Sequence, residues 1–252
     1  MKPSLLGICL LASSLLPLTA AEPTGDQILH QMSAKLTSVR SFSFKATREV
    51  DSTLLSGLPP SGKARISALV QRPLKFAVKA ESKSDSREFI ADGNTLTLFD
   101  SRKNFYATIP MRKTIDGLLD ELDTKFGFTP PLAEFALGDP YQEFRRQAHT
   151  IVFLGRAKTG GGFLGLGGVA CDRVALKGDI ADAELWIGVK DRLPHKLVAT
   201  FHRADQPQLR VHFLDWNLAP EVTPADFAFT PPKGALKIEM LTADKMRPIR
   251  KN

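Results

Sequence analysis

The stretch AKTGGGFLGLGGVACD, residues 157–172, holds the residue types that phosphate chemistry uses: glycines that free the backbone, with Lys158 and Thr159 beside them. A phosphate loop needs Gly-Lys-Ser/Thr at its end, so that the lysine faces the phosphates. Here Lys158-Thr159 comes before the glycines. Gly165 to Ala170 matches GxGxxA, but the dinucleotide fingerprint needs a strand before it and a helix after it. The segment after the glycines, VACDRVALKG, reads as a strand. Phosphate binding is therefore not expected. Phe163, Leu164 and Leu166 stand as apolar groups on a glycine-rich connector. They form either a contact surface or side chains that tuck onto a sheet.

Other chemistries find less support. The chain has no GxSxG and no HExxH among its histidines, which are His30, His149, His195, His202 and His212. His202 and His212 fall on neighbouring predicted strands, without a third ligand nearby. The carboxylates Asp116, Asp120, Glu121 and Asp123 read as a solvated helix face. No nucleophile, base and oxyanion donor converge. The expectation is a non-enzymatic protein with no catalytic residue, metal or cofactor. Arg48 breaks an apolar strand face, either as an anion partner or latch inside a greasy cavity or as a strand end in solvent.

Residues 1–21 read as a secretory signal peptide. Lys2 supplies the positive end, Leu5 to Leu16 the apolar run, and Thr19-Ala20-Ala21 small residues for cleavage. The run is short for a membrane span, and no other window is long and apolar enough. The mature protein is thus expected in the periplasm with no transmembrane segment. Cys9 leaves with the signal peptide, so Cys171 is alone: no internal disulfide, no cysteine metal site, and burial in a strand expected. Cleavage removes Lys2 and no acid, so the net charge falls by one, from +7 to +6. The charges are scattered, which argues against nucleic acid as a partner.

Periodicity predicts the elements that would position these residues. Ile28, Leu29, Met32, Leu36 and Val39 predict a helix over Pro23–Ser41, capped by Thr24 or Asp26. The period then becomes two. Phe42, Phe44, Ala46 and Val50 share one strand face, as do Ala64, Ile66, Ala68 and Val70, and then Leu74, Phe76 and Val78. Asp92-Gly93-Asn94 signals a hairpin, with Leu96 and Leu98 on one strand face beside it and a further strand at Asn104–Ile109. Ile115, Leu118, Leu119, Leu122 and Phe126 form a helical stripe with Thr114 as cap, and PPLAEFALGD and PYQEFRRQA read as short helical pieces. Five more strands complete the pattern: His149–Gly155, Val169–Lys177, Ala183–Val189, His195–His202 and Gln208–Trp216. Helix, strands, helices, strands is an α+β order with one large antiparallel sheet.

The segments ELWIGVKDRLPHKLVATF and FLDWNLAPEVTPADFAFTPPKGA resemble the closing hairpins of the LolA/LolB-like lipoprotein-carrier superfamily. RSFSFKA, FIADGNTLTLFDSRKNFYATIP, TIDGLLDELDTKFGFTPPLAEF and VACDRVAL resemble, more narrowly, a family of predicted periplasmic proteins of unknown function within it. The resemblance runs from Leu29 to Lys237. The insertion TGGGFLGLGG and the tail after Ala235 depart from it.

The resemblance implies a curved antiparallel sheet, a LolA-like half-barrel with helices covering its concave face, that holds a lipid or lipoprotein acyl chain. It frames the chain as a signal peptide over residues 1–21, one domain over 22–237 and a basic tail over 238–252. Phe42, Phe44, Ile66, Val70, Phe76, Val78, Leu96 and Leu98 on the sheet, with Leu118 and Leu122 on the helix above, are then the expected acyl-chain contacts, and Arg48 the polar candidate. The alternative is an envelope interaction or sensor protein that docks a protein partner through its sheet edge or the glycine loop, with Phe163, Leu164 and Leu166 in contact.

Overall fold

The computed structural model describes residues 22–51, 54, 62–111, 113–160 and 168–244. The expected signal peptide and Phe163, Leu164 and Leu166 lie outside the described residues.

Helix α1 (Gly25–Thr37) opens the chain. Thr24 caps it: its hydroxyl accepts from the Gln27 N–H while the Gln27 side chain accepts from the Thr24 N–H, a reciprocal capping box. The helix is shorter than Pro23–Ser41 because Ser41 already belongs to a strand. One antiparallel run comes next: β1 (Ser41–Val50), β2 (Lys63–Gln71), β3 (Lys75–Glu81), β4 (Ser86–Ala91), β5 (Thr95–Asp100) and β6 (Phe105–Pro110). Leu74 is not in the third strand; it sits exposed in the turn before it. The middle of the chain supplies α2 (Ile115–Glu121), a π-helical turn (Leu122–Phe126), a 3-10 turn (Ala133–Ala136) and α3 (Pro140–Gln147). A second antiparallel run then gives β7 (Thr150–Thr159), β8 (Val169–Lys177), β9 (Ala181–Gly188), β10 (Pro194–Phe201) and β11 (Gln208–Asn217), and the short β12 (Leu236–Lys237) comes last.

All strands join one sheet in the order β12-β6-β5-β4-β3-β2-β1-β11-β10-β9-β8-β7. The two runs meet where β1 pairs with β11. Only β12 on β6 is parallel among the described pairs. The sheet is curved and unclosed. Its registers slip at Phe44/Ala46 on β1, at Phe153/Arg156 on β7 and at Pro194/Lys196 on β10, and such bulges add local twist and bend. Gly155, at φ 90°, takes the second slip.

Alternation decides which side chains face the helices. Phe42, Phe44, Ala46, Ile66, Val70, Phe76 and Leu96 point in and are buried, while Lys45, Lys63, Arg65 and Lys79 point out. Ile28, Leu29, Met32 and Leu36 of α1 and Ile115, Leu118 and Leu119 of α2 meet them in one continuous core. The outer face is partly covered too: Phe229 packs on Phe99 and Tyr106, each 5.3 Å away, and Phe227 is buried under Lys75.

Candidate functional site

The expected acyl-chain contacts do come together, and they pack against each other. Phe42, Phe44, Ile66, Val70, Phe76, Val78, Leu96, Leu118 and Leu122 are buried members of the core. Phe44 alone touches Phe213 at 5.5 Å and Trp216 at 4.7 Å. Between Phe44, Val70, Phe76 and Val78 and the Pro130–Ala136 turn, the free space is about 10 Å³, room for one water at most.

The helices above them are held down. Arg72 sends its Nη1 to the carbonyl of Leu36 at 2.9 Å and its Nη2 to the carbonyl of Leu137 at 2.9 Å, and its guanidinium lies 4.9 Å over the Phe42 ring. Asp139 caps α3 while accepting from Ser33 of α1, and Asp26 of α1 accepts from the Tyr141 hydroxyl. The turn between β2 and β3 and two helices are thus tied by polar bonds.

Open space lies elsewhere. A cleft of about 550 Å³ runs between β4–β6, the π-helical turn and the chain after β12. Register builds its floor: Phe89 faces Leu98, and Leu98 faces Ala107, so three inward side chains lie in a row across β4, β5 and β6. Phe126 and Phe128 form a wall. They flank Gly127, whose left-handed φ of 67° ends the turn with its N–H on the carbonyl of Asp123. Phe89 and Phe128 stand 6.2 Å apart. Ile238, Met240 and Leu241, beside Phe126, line it as well. That segment is fixed at both ends, by the Ile238 N–H on the Tyr106 carbonyl and the Ala243 N–H on the Lys125 carbonyl.

Arg48 closes the cleft. It sits on the inward face of β1, opposite Ala64 and Val211. Its Nε is buried without a hydrogen-bond partner, and among the described residues it makes no ion pair. Burial, and then repulsion from Arg87, push its guanidinium below the usual arginine range, with Asp85 pulling the other way. Arg87 itself is paired with Asp85 at 3.2 Å. Arg48 also lines a second cleft of about 550 Å³, whose rim carries Lys83, Arg102 and Arg210. One unpaired cation therefore stands where the two clefts meet.

Of the expected site residues, Leu98 and Arg48 line this cleft, as does Phe126 of the predicted helical stripe. Leu98 is half-buried and packs on the core edge. Phe89, Arg87, Phe128 and Met240 escape the sequence pattern. SREFIA places charges beside Phe89 and hides the strand. The aromatic pair around Gly127 in KFGFTPP is the signal that marks the wall.

The histidines and the cysteine find structural places. His202 lies beyond the paired part of β10 and contacts Asp182 at 3.3 Å, whereas His212 faces Lys196; the two do not meet. Cys171 is buried, and burial followed by the charges of Asp191 and Asp172 pushes its thiol up to about 12. Its neighbour Asp172, fully buried, bridges Arg156 at 2.7 Å and Arg192 at 2.9 Å. Among the described residues no helix is long and apolar enough to cross a membrane.

The model of the family described as predicted periplasmic protein (DUF2092) matches residues 25–241. No curated protein matches the sequence. Solved structures to which the chain is similar include the MucA/MucB complex of Pseudomonas aeruginosa, at 11% identity and a TM-score of 0.45, covering 82% of this chain and 61% of that one. The chain thus spans less than two thirds of that relative. Similar too is a LolA superfamily protein from Nitrosomonas europaea, at 12% identity and a TM-score of 0.38, covering 82% of this chain and 99% of that one. A putative outer membrane lipoprotein-sorting protein domain from Vibrio parahaemolyticus aligns at 8% identity and a TM-score of 0.37, over 81% and 95% of the two chains.

Proposed function

The chain belongs to the DUF2092 family of predicted periplasmic proteins, and from that premise we propose that it is a periplasmic, non-enzymatic binding protein for a single acyl chain bearing an acidic head. The acyl chain lies in the cleft over Phe89, Leu98 and Ala107, and the head meets Arg48. The observation that carries this reading is the unpaired, half-buried guanidinium of Arg48 at the end of a cleft floored by Phe89, Leu98 and Ala107. A buried cation without a partner costs stability unless something pairs with it. A carboxylate or phosphate supplies that pairing, and the apolar tail beside it supplies the affinity.

The dimensions support the reading. About 550 Å³ lies within the range of small-ligand sites. Each methylene moved from water into such a slot contributes about 0.8 kcal/mol. Lys83 and Arg102 on the rim give the head a second source of attraction. Binding rather than conversion is supported by the lining: no nucleophile and base stand together among the residues that face the slot.

This reading shifts the ligand from the centre of the half-barrel to its β6 end, because the centre is filled and clamped. Titration with a fluorescent fatty acid such as cis-parinaric acid tests it. Saturable binding that weakens about tenfold in Arg48→Met, the loss of one charge-assisted contact, supports the site. Equal binding by wild type and by Arg48→Met with Leu98→Gln rules it out.

A further inference from the structure

Large apolar side chains are exposed along the outer lip of the cleft. Leu236 is 60% exposed, Ile238 48%, Leu241 46% and Phe105 36%. They are contiguous by construction. Leu236 pairs with Phe105 across β12 and β6, and paired residues point to the same face; Ile238, two residues on, shares it. Ile238, Leu241 and Phe105 also line the cleft, so the lip is continuous with the mouth. Lys237 points to the opposite face of the same short strand.

Lysines frame this lip. Lys103 precedes β6 and Lys233 precedes β12, where its carbonyl accepts from the Asn104 side chain. From Lys233 to the last residue the sequence carries Lys233, Lys237, Lys245, Arg247, Arg250 and Lys251 against two acids, Glu239 and Asp244. An apolar lip edged by Lys103 and Lys233 and followed in sequence by four further basic residues matches one partner chemistry in particular. An anionic bilayer offers hydrocarbon to the leucines and isoleucine and phosphates to the lysines at the same depth. A second copy of the chain fits poorly, because self-pairing would bring like-charged segments together.

We propose that the β6–β12 lip is a docking surface for anionic lipid bilayers, built from Phe105, Leu236, Ile238 and Leu241 and framed by Lys103 and Lys233. The docked molecule presents the mouth of its cleft to the acyl-chain region. The surface goes beyond acyl-chain binding and stands whether or not the cleft holds a lipid, because its own side chains make the contact.

Flotation of the purified protein with vesicles tests it. Vesicles of phosphatidylglycerol with phosphatidylcholine are compared with phosphatidylcholine alone, at low and high salt. The expected result is flotation with the anionic vesicles only, weakened by salt. Flotation falls about tenfold in L236S/I238S/L241S, where three half-exposed apolar groups are lost. It also falls in K103E/K233E, which keeps the apolar lip and guards against misfolding of the first variant. Either variant floating like wild type, or equal flotation with neutral vesicles, overturns the proposal. So does failure to float, including the case in which the lip instead makes a concentration-dependent dimer abolished by L236S/I238S/L241S. The vesicle assay reads docking and the fatty-acid titration reads the cleft, so the two failures are separable.

Discussion

The guanidinium of Arg72 stands 4.9 Å over the ring of Phe42 and donates from its three nitrogens to the carbonyls of Leu36, Phe135 and Leu137. A strand end, the C-terminus of α1 and the turn before α3 are joined at one side chain. The Leu36 carbonyl is among those that the last turn of a helix leaves without a partner. Desolvation lowers the guanidinium's pKa, offset by Asp116, yet the charge persists at any ordinary pH.

Arg72→Met should therefore cost about 2–4 kcal/mol, since it strands several half-buried carbonyls rather than one. Urea denaturation measures this. The cleft near β6 lies apart from the clamp, so fatty-acid binding by the fraction that stays folded should be unchanged. A loss below about 0.5 kcal/mol would mean that water replaces the bonds and that the helices are not held by them.

Filled core and open cleft should answer differently to truncation. Phe44→Ala removes a ring packed on Phe213 and Trp216 and should cost about 3–5 kcal/mol. Leu98→Gln, at a half-buried position on the cleft floor, should cost about 1 kcal/mol or less while lowering lipid uptake several-fold. Thermal denaturation together with lipid titration separates the two.

Glu134 predicts a pH effect. Burial, followed by the negative charge of Glu143, raises its carboxyl to about 7, above its ordinary value of 4.5. The folded state therefore holds a proton that the unfolded state releases between those values. This group's contribution to stability is then greatest below about pH 4.5 and declines as pH rises to about 7. Glu134→Gln should flatten that decline and stabilise the protein at pH 7.5. A variant whose pH profile of unfolding overlays the wild type would show the carboxylate to be solvated.

Cys171 should be inert. With its thiol raised to about 12 and its side chain buried, the native protein should react with iodoacetamide far more slowly than the urea-unfolded chain. Comparable labelling rates would place the thiol at the surface.

Much of this architecture is legible in the sequence because alternation is a local property. The inward set on β1, β2 and β3 comes from period two, and the α1 stripe from period 3.6. β4 escapes, since SREFIA carries Arg87 and Glu88 within six residues, and Arg87 pairs with Asp85 rather than seeking solvent. Leu74 misleads because an apolar residue just before a strand looks like its first member. The site is legible only in part. Arg48 shows as a charge on an apolar face, and Leu98 as an inward leucine. Whether an inward row is core or cleft floor depends on what packs above it, and that is set by bonds over long sequence distances, such as Arg72 to Leu137 and Ala243 to Lys125. The lip is hidden for the same reason: Leu236 and Ile238 acquire meaning only once they lie beside Phe105.

The central claim is that the cleft between β6 and the π-helical turn, closed by Arg48, holds one acyl chain with an acidic head. Native mass spectrometry with lipid extraction, on protein purified from the periplasm without detergent, tests it most directly. The predicted result is one acidic lipid per protein, at much lower occupancy in Arg48→Met, whose thermal stability is equal to or above the wild type because a half-buried unpaired charge is gone. A clean apo mass that takes up no added fatty acid, or a lipid occupancy in Arg48→Met equal to the wild type, would contradict the account.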